Sequence, residues 1–163
     1  MLAKILNICP NNDIHLTTLL NTFDINSSVF ARLIEGITER DLRHFKKDSN
    51  YIPWLIGSQV QLRYELANLL GIDETQTAKE LFSNNKAVQY DVIYPPIFSF
   101  NNDWKRISPR LRNLIQELND EDLFTCDKKN PAYQGTLFDL LSFITQRESQ
   151  SISTITLWRG LLT

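Results

Sequence analysis

The sequence runs to 163 residues with a formal net charge of −2; 42% of it is hydrophobic and 22% charged. These values describe one ordinary globular domain spanning residues 1–163, long enough to bury roughly 70% of its unfolded surface without a disulfide or structural metal. They exclude a disordered or fibrous chain. A pI of about 5.7 speaks against a nucleic-acid partner, because DNA-binding domains generally carry a basic face or a pI above about 9.

The opening MLAKILNICPNND has an apolar stretch broken at Asn7 and shorter than the core of a signal peptide. No run approaches the ~18 apolar residues of a membrane span. A cytoplasmic protein with no membrane partner is expected, with Cys9 and Cys126 as reduced thiols rather than a disulfide framework.

Four segments carry apolar residues at helical spacing. The first runs from about Asn12 to Ile37, with Leu16, Leu20, Phe23, Ser27, Phe30, Ile34 and Ile37 on one stripe. The second runs from about Ile52 to Leu70, with Asn50 as the expected N-cap, Pro53 in the first turn and Gly71 as the stop. Its stripe is Leu55, Ser58, Leu62, Leu66 and Leu69. A long connection follows, holding an expected short helix near Thr77–Phe82 and an extended stretch over Tyr90–Ile97.

The third segment runs from about Asn102 to Leu118, through Trp104, Ile107, Leu111, Leu114, Ile115 and Leu118. Pro109 lies off that stripe, on an exposed face or at a helix start. The fourth runs from about Thr136 to Leu162, opened by a capping box between Thr136 and Asp139. The stretch Leu33–Leu42 echoes Leu114–Leu123, each offering a polar turn with Thr38 or Asn119 as cap. Two similar helical hairpins joined by a long crossover between helices two and three make an all-α four-helix bundle the expected fold.

The stripes break at polar residues. On the fourth segment Arg147 and Ser151 keep the spacing of Leu137, Leu140, Leu141, Ile144, Ile155, Trp158 and Leu162, and Ser58 does the same on the second. Inward-facing polar residues at one level imply a polar pocket. A guanidinium there needs an anion, a carboxylate or water. The alternative is that Arg147 snorkels to solvent and the serines bond backbone carbonyls. Glu148, about 100° around the helix from Arg147, is a candidate rim partner.

The span Tyr51-Ile52-Pro53-Trp54-Leu55-Ile56-Gly57-Ser58 resembles the Trp-Leu-x-Gly-His segment that opens the second helix of DinB-like (YfiT-like) four-helix bundles. The ending from Arg147 to Leu162 is similar in spacing to that family's closing His-x-x-x-His-x-Gly-Gln motif with its Leu-Arg-x-Leu-Leu tail, and the two hairpin ends are similar as well. The resemblance implies a divalent-metal site built from three histidines, with thiol-transferase or isomerase chemistry. In this chain the three matching positions are Ser58, Arg147 and Ser151. A hydroxyl is a poor zinc or nickel ligand and a guanidinium repels a cation, so no metal and no cofactor are expected. His15 and His44 lie off the motif and read as surface or capping residues.

No phosphate-binding Gly loop, paired-cysteine motif or nucleophile elbow is present. The expected function is binding of a small polar or anionic molecule between helices two and four, by Arg147 with Ser58 and Ser151, walled by Trp54 and Trp158. One alternative is a thiol-dependent transferase or hydrolase of the same family using other ligands or no metal. Another is a dimerising interaction module with a closed core, homodimers being the commonest assemblies.

Overall fold

The computed structural model describes residues 12–44, 50–126 and 135–162. The described chain is helical: α1 (Asn12–Ile34), α2 (Glu39–His44), α3 (Tyr51–Leu69), α4 (Ile97–Gln116), α5 (Asp120–Phe124) and α6 (Leu137–Gly160). Single 3₁₀ turns at Lys79–Leu81 and Ser83–Asn85 interrupt the crossover between α3 and α4. Among the described residues the only β pairing is an isolated bridge between Cys126 and Thr136.

Local chemistry sets the boundaries. α1 stops at Ile34 rather than Ile37 because Gly36 takes φ +85°, the left-handed C-terminal position that a residue with a side chain adopts only with strain. The polar turns of the internal echo are helix caps. Thr38 Oγ1 accepts from the Asp41 N–H at 3.2 Å, and the Asp41 carboxylate accepts from the Thr38 N–H at 2.8 Å. Asn119 and Asp122 form the same reciprocal pair before α5, and Thr136 and Asp139 form it before α6.

Asn50 stands at the N-cap of α3 as expected, but its side chain makes no capping bond. Its side-chain amide instead donates to the carbonyls of Gln89 and Val92 at 2.8 and 3.0 Å, tying the crossover to the start of the helix. The short helix expected near Thr77–Phe82 is a single 3₁₀ turn. Pro109 sits inside α4 on its exposed side, where the bond it cannot donate faces water.

Each long helix packs mainly on two others: α1 on α4 and α6, and α3 on α4 and α6. The helices α1 and α6 run in the same direction, with His15 beside Phe138, Asn26 beside Glu148 and Leu33 beside Arg159. α4 opposes α1, because Arg112 meets Asp24 while Asn101 reaches Ala31. α3 runs with α4: Phe82 touches both Gly57 and Phe100, and Arg63 lies level with Ser108. α1 and α3 therefore sit across one diagonal and α4 and α6 across the other, with α2 and α5 between them in sequence, while α3 and α4 pack side by side. The core between them holds Phe23, Phe30, Ile56, Val60, Phe100, Trp104, Ile107, Leu111 and Ile155, each 2% exposed or less.

Two helix faces differ from the stripes read in sequence. α3 is covered by α4 on one flank and α6 on the other, so Ile52, Ile56, Val60, Arg63 and Ala67 are buried as well as Leu55 and Leu66. Its stripe through Ser58 and Leu62 is only half-buried, and Leu69 is exposed. On α6 the inward face is Leu141, Ile144, Glu148, Ser151 and Ile155. Glu148, not Arg147, points to the core.

Candidate functional site

At the centre lies an ion pair that the sequence pattern does not announce. Arg63 and Glu148 are both 0% exposed. Arg63 Nε and Nη2 donate to the two Glu148 carboxylate oxygens at 2.6 and 2.9 Å, and Nη1 donates to Ser27 Oγ and Ser108 Oγ at 2.7 and 2.6 Å. The guanidinium lies between two aromatic faces, 3.9 Å from the Phe23 centroid and 3.5 Å from that of Trp104. Asn26 Nδ2 adds a bond of 3.2 Å to Glu148. All four long helices contribute. Such a pair offsets its desolvation only through this kind of satisfaction, and with its acceptors filled from inside it has little capacity left for a ligand.

A cleft of about 560 Å³ opens on the outer side of the same level, between α3 and α6. The size suits a small-molecule site. Trp54, Ser58 and the crossover residues Asn85 and Lys86 line one end, and Arg147 and Leu62 line the middle. Leucines of α3, with Leu140 and Phe143 of α6, line the other end. Trp54 is fixed by its ring N–H, which donates to the Lys86 carbonyl at 2.9 Å. Ser58 Oγ donates to the Trp54 carbonyl at 2.7 Å and keeps its lone pairs for a further donor.

The crossover reaches the cleft through Phe82, whose ring lies over Gly57: a Cβ there would stand 2.2 Å from Phe82 Cζ. Asn84 and Asn85 both adopt positive φ to turn the chain along the rim. Arg147 is half-buried, with its guanidinium carbon 5.7 Å from the Phe143 centroid. Among the described residues it has no carboxylate partner and donates no hydrogen bond. Lys86 Nζ is committed to the Glu80 carbonyl at 2.6 Å. Glu65, on the exposed flank, accepts from the Gln61 amide at 2.8 Å.

Of the residues singled out in the sequence, Trp54, Ser58 and Arg147 line this cleft. Ser151 is buried on the inner face of α6 and Trp158 is half-buried against the core, and neither borders it. The inward guanidinium expected at Arg147 belongs to Arg63, and Glu148 is a core residue rather than a rim partner. His15 packs edge-on to Phe124 and Phe138, and His44 lies exposed at the end of α2. Cys126 is an exposed free thiol, while Cys9 lies outside the described residues. Among the described residues no three His, Cys, Asp or Glu side chains cluster as metal ligands would, and no helix is long and apolar enough to cross a membrane.

A second, smaller cleft of about 280 Å³ shares Gln61 and Glu65 and is bordered by Tyr64 and Glu74. Gln61 donates to Glu65 there, and the Asn68 amide donates to the carbonyls of Tyr64 and Glu74. The Arg110 guanidinium beside Glu74 holds that carboxyl below its usual range. Burial raises the Tyr64 hydroxyl above its usual value while that oxygen accepts from Arg106. Comparison of the chain with protein-family models, curated proteins and solved structures finds no match.

Proposed function

We propose that this chain is a DinB-like four-helix bundle whose α3–α6 cleft binds a small polar or anionic molecule, without the family's three-histidine site. The family reading is supported by four long helices with a crossover between the second and third, and by the Trp54-Leu55-Ile56-Gly57 run at the start of α3, where Gly57 seats Phe82. The binding reading rests on one observation. Arg147 presents a half-buried guanidinium on the concave wall that Ser58 also lines, without a carboxylate partner among the described residues. A permanently charged fork in that position is satisfied by an incoming anion.

Calorimetric titration with acetate and with inorganic phosphate tests this. At least one is expected to bind weakly and saturably to the natural chain, and Arg147→Leu is expected to abolish binding while leaving the helical circular-dichroism signal unchanged. Equal binding by the variant would refute the assignment.

A further inference from the structure

We propose, resting on the anion-binding reading above, that the cleft takes an amphipathic carboxylate: a single anionic head at Arg147 and an aliphatic chain laid between α3 and α6. The cleft is graded along its length. α3 and α6 run in opposite directions and are level at Arg63 and Glu148. From that level the walls extend along Leu66 and Leu69 on one helix and Ile144, Phe143 and Leu140 on the other. Six residue steps along α3 to Leu69 and eight along α6 to Leu140 give about 9–12 Å of wall at 1.5 Å per residue. Leu69 and Phe143 are each 48% exposed, and large apolar groups left open on a concave wall mark a surface that a ligand covers.

The polar groups sit at and beyond the other end, with Ser58 and Asn85. The head group is set by the cation in the wall. Lys86 lies exposed with one of its three donors on a backbone carbonyl, whereas the planar fork of Arg147, half-buried in the wall, matches the two oxygens of one carboxylate.

The test is a calorimetric series of acetate, butyrate, hexanoate and octanoate, with octanol as the uncharged control, repeated on Arg147→Leu and on the double variant Leu69→Gln/Phe143→Gln. The glutamines replace two half-exposed side chains, so the fold is retained. Full burial strengthens binding about fourfold per methylene, and octanoate is expected to bind at least tenfold more tightly than butyrate. The glutamine variant should flatten the series, and Arg147→Leu should weaken octanoate at least tenfold. A flat series on the natural chain, with acetate binding still dependent on Arg147, would overturn the amphipathic ligand and leave the anion site standing. Octanol binding as tightly as octanoate, octanoate binding indifferent to Arg147→Leu, or no carboxylate binding at all would overturn the amphipathic carboxylate, and the anion site would fall with it only where acetate and phosphate both fail to bind through Arg147.

Discussion

Two arginines lie at the same level of the molecule, on the inner and outer sides of the α3–α6 seam, in opposite circumstances. Arg63 is sealed from water, bonded to a carboxylate and two hydroxyls, and enclosed by two aromatic rings. Arg147 is half-open, rests on one ring and has no carboxylate partner among the described residues. A guanidinium is admitted to the interior only with its donors satisfied, and that satisfaction removes it from ligand chemistry. The unsatisfied one must keep contact with water, which is also contact with solutes. The contrast therefore separates a charge that organises the fold from one that is available to a partner.

The largest expected effect lies on the inner side. Arg63→Met or Glu148→Met alone strands a buried charge and should lower unfolding free energy by about 3–5 kcal/mol, measured by urea titration. The double variant should recover most of that loss, because an apolar pair leaves no charge behind. Single variants costing less than about 1 kcal/mol would mean that the inner pair is not the sealed element its geometry describes.

The next effect falls where crossover and cleft meet. Gly57→Ala drives a methyl into the Phe82 ring, which is held by Tyr94 and Phe100 at centroid distances of 5.7 and 5.6 Å and has little room to retreat. Overpacking of this kind costs about 1–3 kcal/mol. Because Phe82 also lines the cleft, ligand affinity should fall with stability, whereas the inner-pair variants should alter stability first.

The four long helices and the caps at Thr38, Asn119 and Thr136 were legible in the sequence because each depends on residues three or four apart. The Thr136–Asp139 box is an example of such local information, as is the echo that places Thr38 and Asn119. The register of α6 was not legible. From Ile144 to Ile155, the spacing 144-147-151-155 fits a helical stripe as well as 144-148-151-155 does, and Arg147, Glu148 and Ser151 are all polar. What selects Glu148 is Arg63, 85 positions away in the chain, and no local pattern contains that partner. Arg63 was missed for a related reason. It continues the row Ile52, Ile56, Val60, Ala67 at helical spacing, but α3 is covered on two flanks and so carries two genuine stripes. The one through Ser58 and Leu62 turned out to line the cleft.

A smaller effect separates the buried charges from the exposed ones through pH. Bonds from Thr136 hold the Asp139 carboxyl below the usual aspartate range. A depressed folded-state pKa contributes stability that is present above the unfolded value and lost as pH falls through the folded one. Thr136→Ala should lower Tm by a few degrees at neutral pH. The gap to the natural chain should close as the solution is taken into the acid range where Asp139 protonates, and a gap constant down to strongly acid pH would contradict the capping role.

The smallest effect on stability is expected from Arg147, and that smallness carries the distinction between the two arginines. The side chain makes no hydrogen bond among the described residues, so Arg147→Leu should move unfolding free energy by no more than about 0.5 kcal/mol, as read by urea titration in ligand-free buffer. Arg147→Lys should be equally mild in stability, yet bind carboxylates more weakly than the natural chain, because a compact ammonium keeps the charge and loses the two-pronged geometry. Loss of binding without loss of stability identifies a group held in place by its surroundings rather than one that holds them. A destabilisation of Arg147→Leu comparable to that of Arg63→Met would make both arginines structural and leave the cleft without its anion partner.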